Sequence, residues 1–313
     1  MIVKEETKNA IARIEGALPA ERLFADEPMS RHTSFRIGGP AAMFVRADNE
    51  KELSSLIKIV NEEGAEYMLV GNGSNLLVSD EGYPGIAVKL GGDFESINVD
   101  EKDETLVHVG AARLMSSTSA FLTERGLSGF EFASGIPGSI GGAVFMNAGA
   151  YGGEIKDLAE SVRLMSSDGS AVRDVDAGEM GFGYRTSNIQ RSGDIVLSVS
   201  FRLRNDEPAG IAARVSELAA KRNSKQPVNF PSAGSTFKRP IGGYAAALIE
   251  EAGLKGYRVG GAAVSEKHSG FVINEGGASA EDVLAVMRHV RESVFEKSGI
   301  MLEPEVRLIN CEL

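Results

Sequence analysis

Residues 129–153 read Gly-Phe-Glu-Phe-Ala-Ser-Gly-Ile-Pro-Gly-Ser-Ile-Gly-Gly-Ala-Val-Phe-Met-Asn-Ala-Gly-Ala-Tyr-Gly-Gly, and eight of these twenty-five positions are glycine. The same stretch carries Phe130, Phe132, Ile136, Ile140, Val144, Phe145 and Met146, so it is not a flexible linker. Glycine set among apolar residues means a backbone that turns tightly, or approaches something closely, while staying packed. Pro137 fixes one φ angle between Gly135 and Gly138. Backbone N–H groups left free in such a turn, opening into a helix, form a nest for an anion such as a pyrophosphate. The competing reading is a glycine-rich turn in an ordinary core.

A second loop of the same kind lies upstream, Gly71-Asn72-Gly73-Ser74-Asn75-Leu76. It follows the short apolar run Tyr67–Val70 and precedes another at Ile86–Leu90. Before it, Asn49 and Glu52 have the spacing of a capping box, and Leu53, Leu56, Ile57 and Val60 form one helical stripe ended at Gly64. This is a strand–helix–strand–loop–strand unit, with the glycine loop leaving the end of a strand, where α/β domains hold ligands. The loop lacks the third glycine and following helix of the dinucleotide fingerprint, so it is not a Rossmann site.

The remaining pattern is mixed. A helix is expected over 5–17, and another over Leu114–Arg125, ended by Gly126. Ser161–Met165 and Ala171–Val175 flank a hairpin turn at Ser167–Ser170, and Ile195–Leu203 alternates as a strand. Asn205-Asp206-Glu207-Pro208 breaks the chain. Beyond it the pattern predicts helices near Ile211–Asn223, Gly243–Ala252 and from Ser279 to about Lys297, then a final strand Met301–Ile309. The expected fold class is therefore α/β and α+β, in regions 1–90, 91–206 and 207–313.

Composition narrows the chemistry. One cysteine, Cys311, permits no intrachain disulfide and fits a reducing cytoplasm. No apolar run is long enough to span a membrane, and Met1–Ile14 does not read as a signal peptide. The four histidines are scattered and no metal spacing occurs, so no metal is expected. A net charge of −11 argues against nucleic acid. Against that background Arg214–Arg239 stands out, with six basic residues (Arg214, Lys221, Arg222, Lys225, Lys238, Arg239) and one acid, Glu217. It is either a solvated helix face or a site for an anionic ligand.

Three polar residues sit where packing does not explain them. Arg185 follows Gly181-Phe182-Gly183-Tyr184, Ser235 lies in Ala233-Gly234-Ser235-Thr236-Phe237-Lys238, and Glu305 lies in Glu303-Pro304-Glu305-Val306-Arg307. Each alone is more ordinary than catalytic: an arginine after a turn usually pairs with a carboxylate, and a strand glutamate usually faces water. His268 in Glu266-Lys267-His268-Ser269-Gly270 is similar. No Gly-x-Ser-x-Gly elbow surrounds Ser235, which argues against serine hydrolysis.

Taken together, and in order, His32-Thr33-Ser34-Phe35-Arg36-Ile37-Gly38-Gly39-Pro40, the two glycine loops, Gly183-Tyr184-Arg185, the segment around Ser235 and Glu303–Arg307 span nearly the whole chain. In these motifs the sequence resembles the UDP-N-acetylenolpyruvoylglucosamine reductase family, the UDP-N-acetylmuramate dehydrogenases of bacterial cell-wall precursor synthesis. The resemblance implies a two-subdomain FAD-binding fold of the vanillyl-alcohol-oxidase (PCMH) type, followed by a C-terminal α+β substrate domain. It implies noncovalent FAD, NADPH as hydride donor, and UDP-N-acetylglucosamine enolpyruvate as substrate. It assigns Arg185, Ser235 and Glu305 as the catalytic trio. Arg185 would stabilise charge developing on the substrate carboxylate, and Ser235 would deliver a proton. Gly71, Asn72, Gly73, Ser74, Asn75, Leu76, Gly135, Ile136, Pro137, Gly138, Ser139, Gly141, Gly142, Asn147 and Gly149 would line the cofactor. Tyr184, Lys225, Lys238, Arg239 and His268 would meet the substrate.

The chain resembles the family's shorter type, since no tyrosine occurs between Tyr184 and Tyr244 to form the covering loop of the longer one. A monomer is expected. Two alternatives remain: an FAD-dependent sugar or alcohol oxidase of the same fold, and a non-catalytic nucleotide-sugar-binding flavoprotein. His32 and His108 are the only histidines in the first two regions and neither lies in the central glycine stretch, which disfavours covalent flavin.

Overall fold

The computed structural model describes all 313 residues. Its first layer is a four-stranded sheet in the order Leu23–Pro28, Pro40–Ala47, Tyr83–Leu90, Tyr67–Leu69. The first pair is antiparallel and the others parallel. Side chains alternate across a strand, so the central strands feed two cores. Met43, Val45, Ile86 and Val88 join Ala10, Ile14, Leu53, Leu56, Ile57 and Val60 from helices Glu5–Ala17 and Glu50–Glu63. Phe44 and Ala87 point the other way, toward Met29, Val70 and Val78 beneath the first glycine loop. The expected capping box at Asn49 is half formed. Asn49 accepts the Glu52 N–H at 3.0 Å, but the Glu52 carboxylate turns to the Asp48 N–H and to Arg22.

The second layer is a five-stranded antiparallel sheet, ordered Val172–Asp176, Ala159–Met165, Ile195–Arg202, Leu106–Gly110, Ile97–Val99. Helices Met115–Glu124 and Ile140–Met146 close its core, around Val107, Val109, Met115, Ile140, Val144, Val199 and Phe201. The core of the first layer also takes in Met165, Ile195 and Leu197 from this sheet, which fastens the two layers together.

Pro208 occupies the first turn of helix Pro208–Lys225, where its missing N–H costs nothing. Farther on, helix Ala280–Ser298 begins in a complete capping box of Ser279 and Asp282. It buries Val283, Leu284, Val286, Met287, Val290 and Val294 against a small antiparallel sheet, Arg258–Val259, Ala262–Val264, Val272–Asn274. The final strand is shorter than the sequence pattern suggests, covering only Arg307–Ile309. Pro304 has no N–H to give a ladder. The stretch before it is held instead through Lys238 N–H to Glu303 O and Glu305 N–H to Thr236 O. Arg307–Ile309 pairs in parallel with Leu76–Val78, directly after the first glycine loop. No helix is long and apolar enough to cross a membrane.

Candidate active site

The two glycine loops, 64 positions apart between Gly71 and Gly135, meet in space. Asn72 Nδ2 donates to the Pro137 carbonyl at 2.8 Å. A side chain at Gly71 would collide with Ser139 Oγ, and one at Gly138 would lie 3.8 Å from Ser74 Oγ. Gly73 is left-handed at φ 61° and pressed against the His32 carbonyl, leaving no room for a Cβ. The His32–Pro40 motif is thus a buttress: Ser34 N–H donates to Gly73 O at 3.1 Å, and Ser34 Oγ to Ser232 O at 2.6 Å. The backbone N–H groups of residues 71–75, 138 and 139 donate to no protein acceptor. Such a concave row of free amides fits a pyrophosphate.

Not every residue of the glycine stretch faces that cradle. Asn147 is fully buried in the left-handed conformation at φ 43°. Its Nδ2 donates to Glu154 Oε2 and Gly183 O, both at 3.0 Å, and its Oδ1 accepts the Lys156 N–H. The fold thus consumes its amide, and its function here is to tie the stretch to the turn before Arg185. Gly149 makes room for Gly153 and Glu154 in a two-residue hairpin. Gly141 packs on Ala111, Ser139 caps helix Ile140–Met146 through the Gly142 N–H, and Ile136 and Leu76 contribute to cores.

Arg185 sits at the tip of a tight turn closed by Gly183 N–H to Thr186 O and the reciprocal bond. Its φ of 55° is unusual for a non-glycine residue and aims the side chain across the molecule. Gln190 Nε2 fixes its carbonyl at 3.0 Å. Arg185 Nε donates to Glu305 Oε1 at 2.7 Å, with the two side chains 23% and 12% exposed. Nη1 and Nη2 remain available to a second carboxylate. The guanidinium also helps hold the Glu154 carboxyl below the usual carboxylate range, after the larger effects of Lys156 and Asn147.

Glu305 is gripped at both ends of its peptide unit. Its N–H donates to Thr236 O at 2.8 Å, and its carbonyl accepts Asn75 Nδ2 at 3.1 Å. Thr236 is buried, and its Oγ1 accepts the Val272 N–H at 2.9 Å. Ser235, one residue earlier and half-buried, is therefore on the chain segment directly beside Glu305. The trio and the first glycine loop belong to one connected constellation.

The expected substrate residues divide. Tyr184 is 47% exposed, with the guanidinium groups of Arg185 and Arg239 at 5.2 and 5.9 Å from its ring. Its hydroxyl accepts the Arg239 N–H at 3.2 Å, and Arg239 lies 4.6 Å over Tyr244. His268 is half-buried beside Phe271, on the turn whose Gly270 carbonyl accepts the Thr236 N–H. Burial pushes its pKa down. Lys225, in the last turn of helix Pro208–Lys225, carries no carboxylate partner, whereas Lys238 pairs with Glu303 at 3.2 Å.

Half of the basic cluster is paired with carboxylates, Lys238 as above, while Arg222, Lys225 and Arg239 make no ion pair. Arg214 is held by Glu131 and Asp206, and Lys221 by Glu217. Sequence reading missed Asn75 as a clasp on Glu305, since its partner is 230 positions away. It also missed Gln190, which steadies Arg185 and accounts for no local pattern. A surface groove near 1150 Å³ carries Arg202 and Arg214, which are already paired with acids.

Residues 226–309 match the model of the UDP-N-acetylenolpyruvoylglucosamine reductase C-terminal domain, and residues 41–174 that of an FAD-binding domain. A reductase of that name from Clostridioides difficile is 46% identical over 93% of this chain and 95% of its own. One from Lachnoclostridium phytofermentans is 46% identical over 98% and 97%. The chain belongs to the UDP-N-acetylenolpyruvoylglucosamine reductase family. Among solved structures, the reductase of Thermus caldophilus superposes with a TM-score of 0.80 at 36% identity, covering 92% of this chain and 98% of that one. The family's two-part FAD-binding fold and C-terminal domain are therefore those of this chain. The free amides of the two glycine loops fit the pyrophosphate of FAD. The two histidines of the first 206 residues are occupied, His32 by Phe44 and Glu27 and His108 by Ser200 and Asp100, which fits a noncovalently held flavin.

Proposed function

We propose that this chain reduces UDP-N-acetylglucosamine enolpyruvate to UDP-N-acetylmuramate, with FAD bound noncovalently and NADPH as electron donor, in peptidoglycan precursor synthesis. The observation that carries the reading is the Arg185–Glu305 contact, with Ser235 alongside, clasped by Asn75 to the glycine loop. When bound, FAD supplies hydride transfer. The substrate's methylene carbon gains a hydride and the adjacent carbon a proton, so the C=C bond becomes CH–CH₃.

The protein's share is placement and charge. Glu305 engages Arg185 through Nε alone, leaving the two terminal N–H groups to grip the substrate carboxylate as negative charge builds there. Ser235 is the proton donor to the carbon next to that carboxylate. Glu305 orients Arg185. Tyr184, Lys225, Arg239 and His268 contribute to the nucleotide-sugar side, with Lys238 at its margin. Gly71–Leu76 and Gly135–Gly142 form the cofactor cradle. We take 1–90 and 91–206 as the two halves of the FAD-binding region and 207–313 as the substrate region. The reading includes a monomer acting in the cytoplasm without nucleic acid or membrane partners; the net charge of −11 disfavours nucleic acid.

The test is one anaerobic titration of the purified protein. NADPH bleaches the visible flavin band, and the enolpyruvyl nucleotide sugar restores it. A band restored only by oxygen establishes the oxidase alternative. A protein that binds flavin and nucleotide sugar but never bleaches is the non-catalytic one.

A further inference from the structure

Between strands Leu76–Val78 and Tyr83–Leu90 lies a short turn, Ser79–Gly82, on which three parts of the C-terminal region converge. Ser79 N–H donates to Ile309 O at 3.0 Å, and Asn310 Nδ2 donates to Gly82 O at 2.8 Å. The third contact is made by a side chain of the turn. Asp80 Oδ1 accepts the Ala280 N–H at 2.9 Å, and Asp80 Oδ2 accepts the Glu281 N–H at 3.2 Å, 200 and 201 positions along the chain. The turn itself is held firmly. Ser79 O accepts the N–H groups of Gly39 and Gly82, both at 2.9 Å, and Gly39 packs so closely on Asp80 O that no Cβ would fit.

The first N–H groups of a helix have no partner within it. In helix Ala280–Ser298 the capping box satisfies one of them, since Ser279 Oγ accepts the Asp282 N–H at 3.0 Å. The two N–H groups it leaves are the two that Asp80 takes. A carboxylate in that place also meets the positive end of the helix dipole. The apolar face of the helix shares a core with Ala262, Val264 and Val272. Val272 N–H donates to Thr236 Oγ1, and Thr236 O accepts the Glu305 N–H. A continuous line of contacts therefore runs from Asp80, through the helix, to the segments that bear Ser235 and Glu305.

We infer that Asp80 is a positioning residue for the reaction, a latch that fixes helix Ala280–Ser298, and with it Ser235 and Glu305, to the turn that follows the cofactor loop. This rests on the function proposed above. Cys311, the single thiol of the chain, is a native reporter of the latch. It is half-buried, with Sγ 3.7 Å from Leu77 O on the strand that leads to Asp80. Burial pushes its pKa up, and the carboxylates of Asp80 and Glu281 add to that, so little thiolate is present to react.

The experiment follows the labelling of Cys311 by an aromatic disulfide reagent in the FAD-loaded parent, Asp80→Ala, Asp80→Asn and Glu281→Gln. Values of kcat and KM for the enolpyruvyl nucleotide sugar are measured on the same proteins. Asp80→Ala should label about tenfold faster, the size expected for losing hydrogen bonds to a charged acceptor. It should also lose about tenfold in kcat at nearly constant KM, as a misplaced reacting group does. Asp80→Asn keeps one acceptor oxygen and should lie between the parent and Asp80→Ala in both measurements. Glu281→Gln removes a neighbouring charge without touching the latch, and screening should keep its labelling within about twofold of the parent. Equal acceleration in Glu281→Gln would mean that the thiol reads charge alone, and an unchanged kcat in Asp80→Ala would mean that the contact is structural only. Either result overturns the inference. A parent that holds FAD but never turns over the enolpyruvyl sugar would instead refute the proposed function, while the labelling rates still report on the latch.

Discussion

Asn75 and Glu305 stand 230 positions apart in the chain and are joined by a single hydrogen bond, 3.1 Å from the side-chain amide to the main-chain carbonyl. Arg307 N–H returns the contact by donating to Asn75 O at 3.0 Å. One residue of the cofactor loop thus fixes the backbone from which the carboxylate facing Arg185 projects. Removing the amide in Asn75→Ala deletes the bond and lets that backbone drift. A neutral hydrogen bond contributes about 1 kcal/mol to stability, so denaturant unfolding should register only a small loss. Turnover should fall more, about tenfold or beyond, because misplacement by an ångström is costly to a reacting geometry. Equal small losses in both measurements would mean that the clasp is structural only.

The Arg185–Glu305 pair separates two roles for the carboxylate. If Glu305 orients Arg185, then Glu305→Gln retains an oxygen for Nε and should cost about tenfold in kcat, whereas Glu305→Ala should cost about 10² to 10³, as loss of a charge-stabilising group does. Steady-state kinetics on both variants decide the matter. Were the glutamine as inactive as the alanine, Glu305 would be a proton carrier. Arg185→Lys should be nearly as damaging as Arg185→Ala, since an ammonium has no fork to serve two carboxylates at once.

Ser235→Ala should leave bleaching of the flavin by NADPH nearly unchanged and slow its recovery with the enolpyruvyl sugar by about 10² to 10⁴, the usual range for losing a general acid. Stopped-flow absorbance resolves the two half-reactions. Equal slowing of both would show that Ser235 shapes the site without donating a proton.

His268 gives a pH signature. Burial lowers its pKa from the ordinary 6.5, so the folded state prefers the neutral ring. Below 6.5 the unfolded chain therefore takes up a proton that the folded protein resists, and stability falls as the solution is acidified from there toward the folded value. Above 6.5 this contribution is level. Melting temperatures of the parent and His268→Gln between about pH 5 and 8 should diverge in slope only on the acid side. Parallel curves would place the ring in a solvated setting.

Much of this site was written in local chemistry. Glycines 71, 73, 135 and 138 stood out because glycine among apolar residues has few other uses, and the two loops do face each other through Asn72 and Pro137. Ser279 and Asp282 signalled their helix at the right residue. The parts that were not legible depend on partners far away in sequence. The excess charge of Arg214–Arg239 suggested an anion site, yet Glu131 and Glu303 neutralise much of it from other elements. The strands Arg258–Val259, Ala262–Val264 and Val272–Asn274 are too short for a period of two to show. The pattern of Met301–Ile309 alternates well enough for a strand, but Pro304 withholds the donor that a full strand needs.

The parallel pairing of Leu76–Val78 with Arg307–Ile309 also sets a schedule. On a ribosome adding about 5 to 20 residues per second, the cofactor loop emerges roughly 10 to 50 seconds before its last flanking strand, given the 230 positions between Asn75 and Glu305. Throughout that interval the nascent chain displays an apolar strand with an open edge, the kind of feature that chaperones screen. The Glu305 carboxylate that meets Arg185 arrives on the same late segment that covers this edge. The proposed site is therefore incomplete until this segment has emerged and paired.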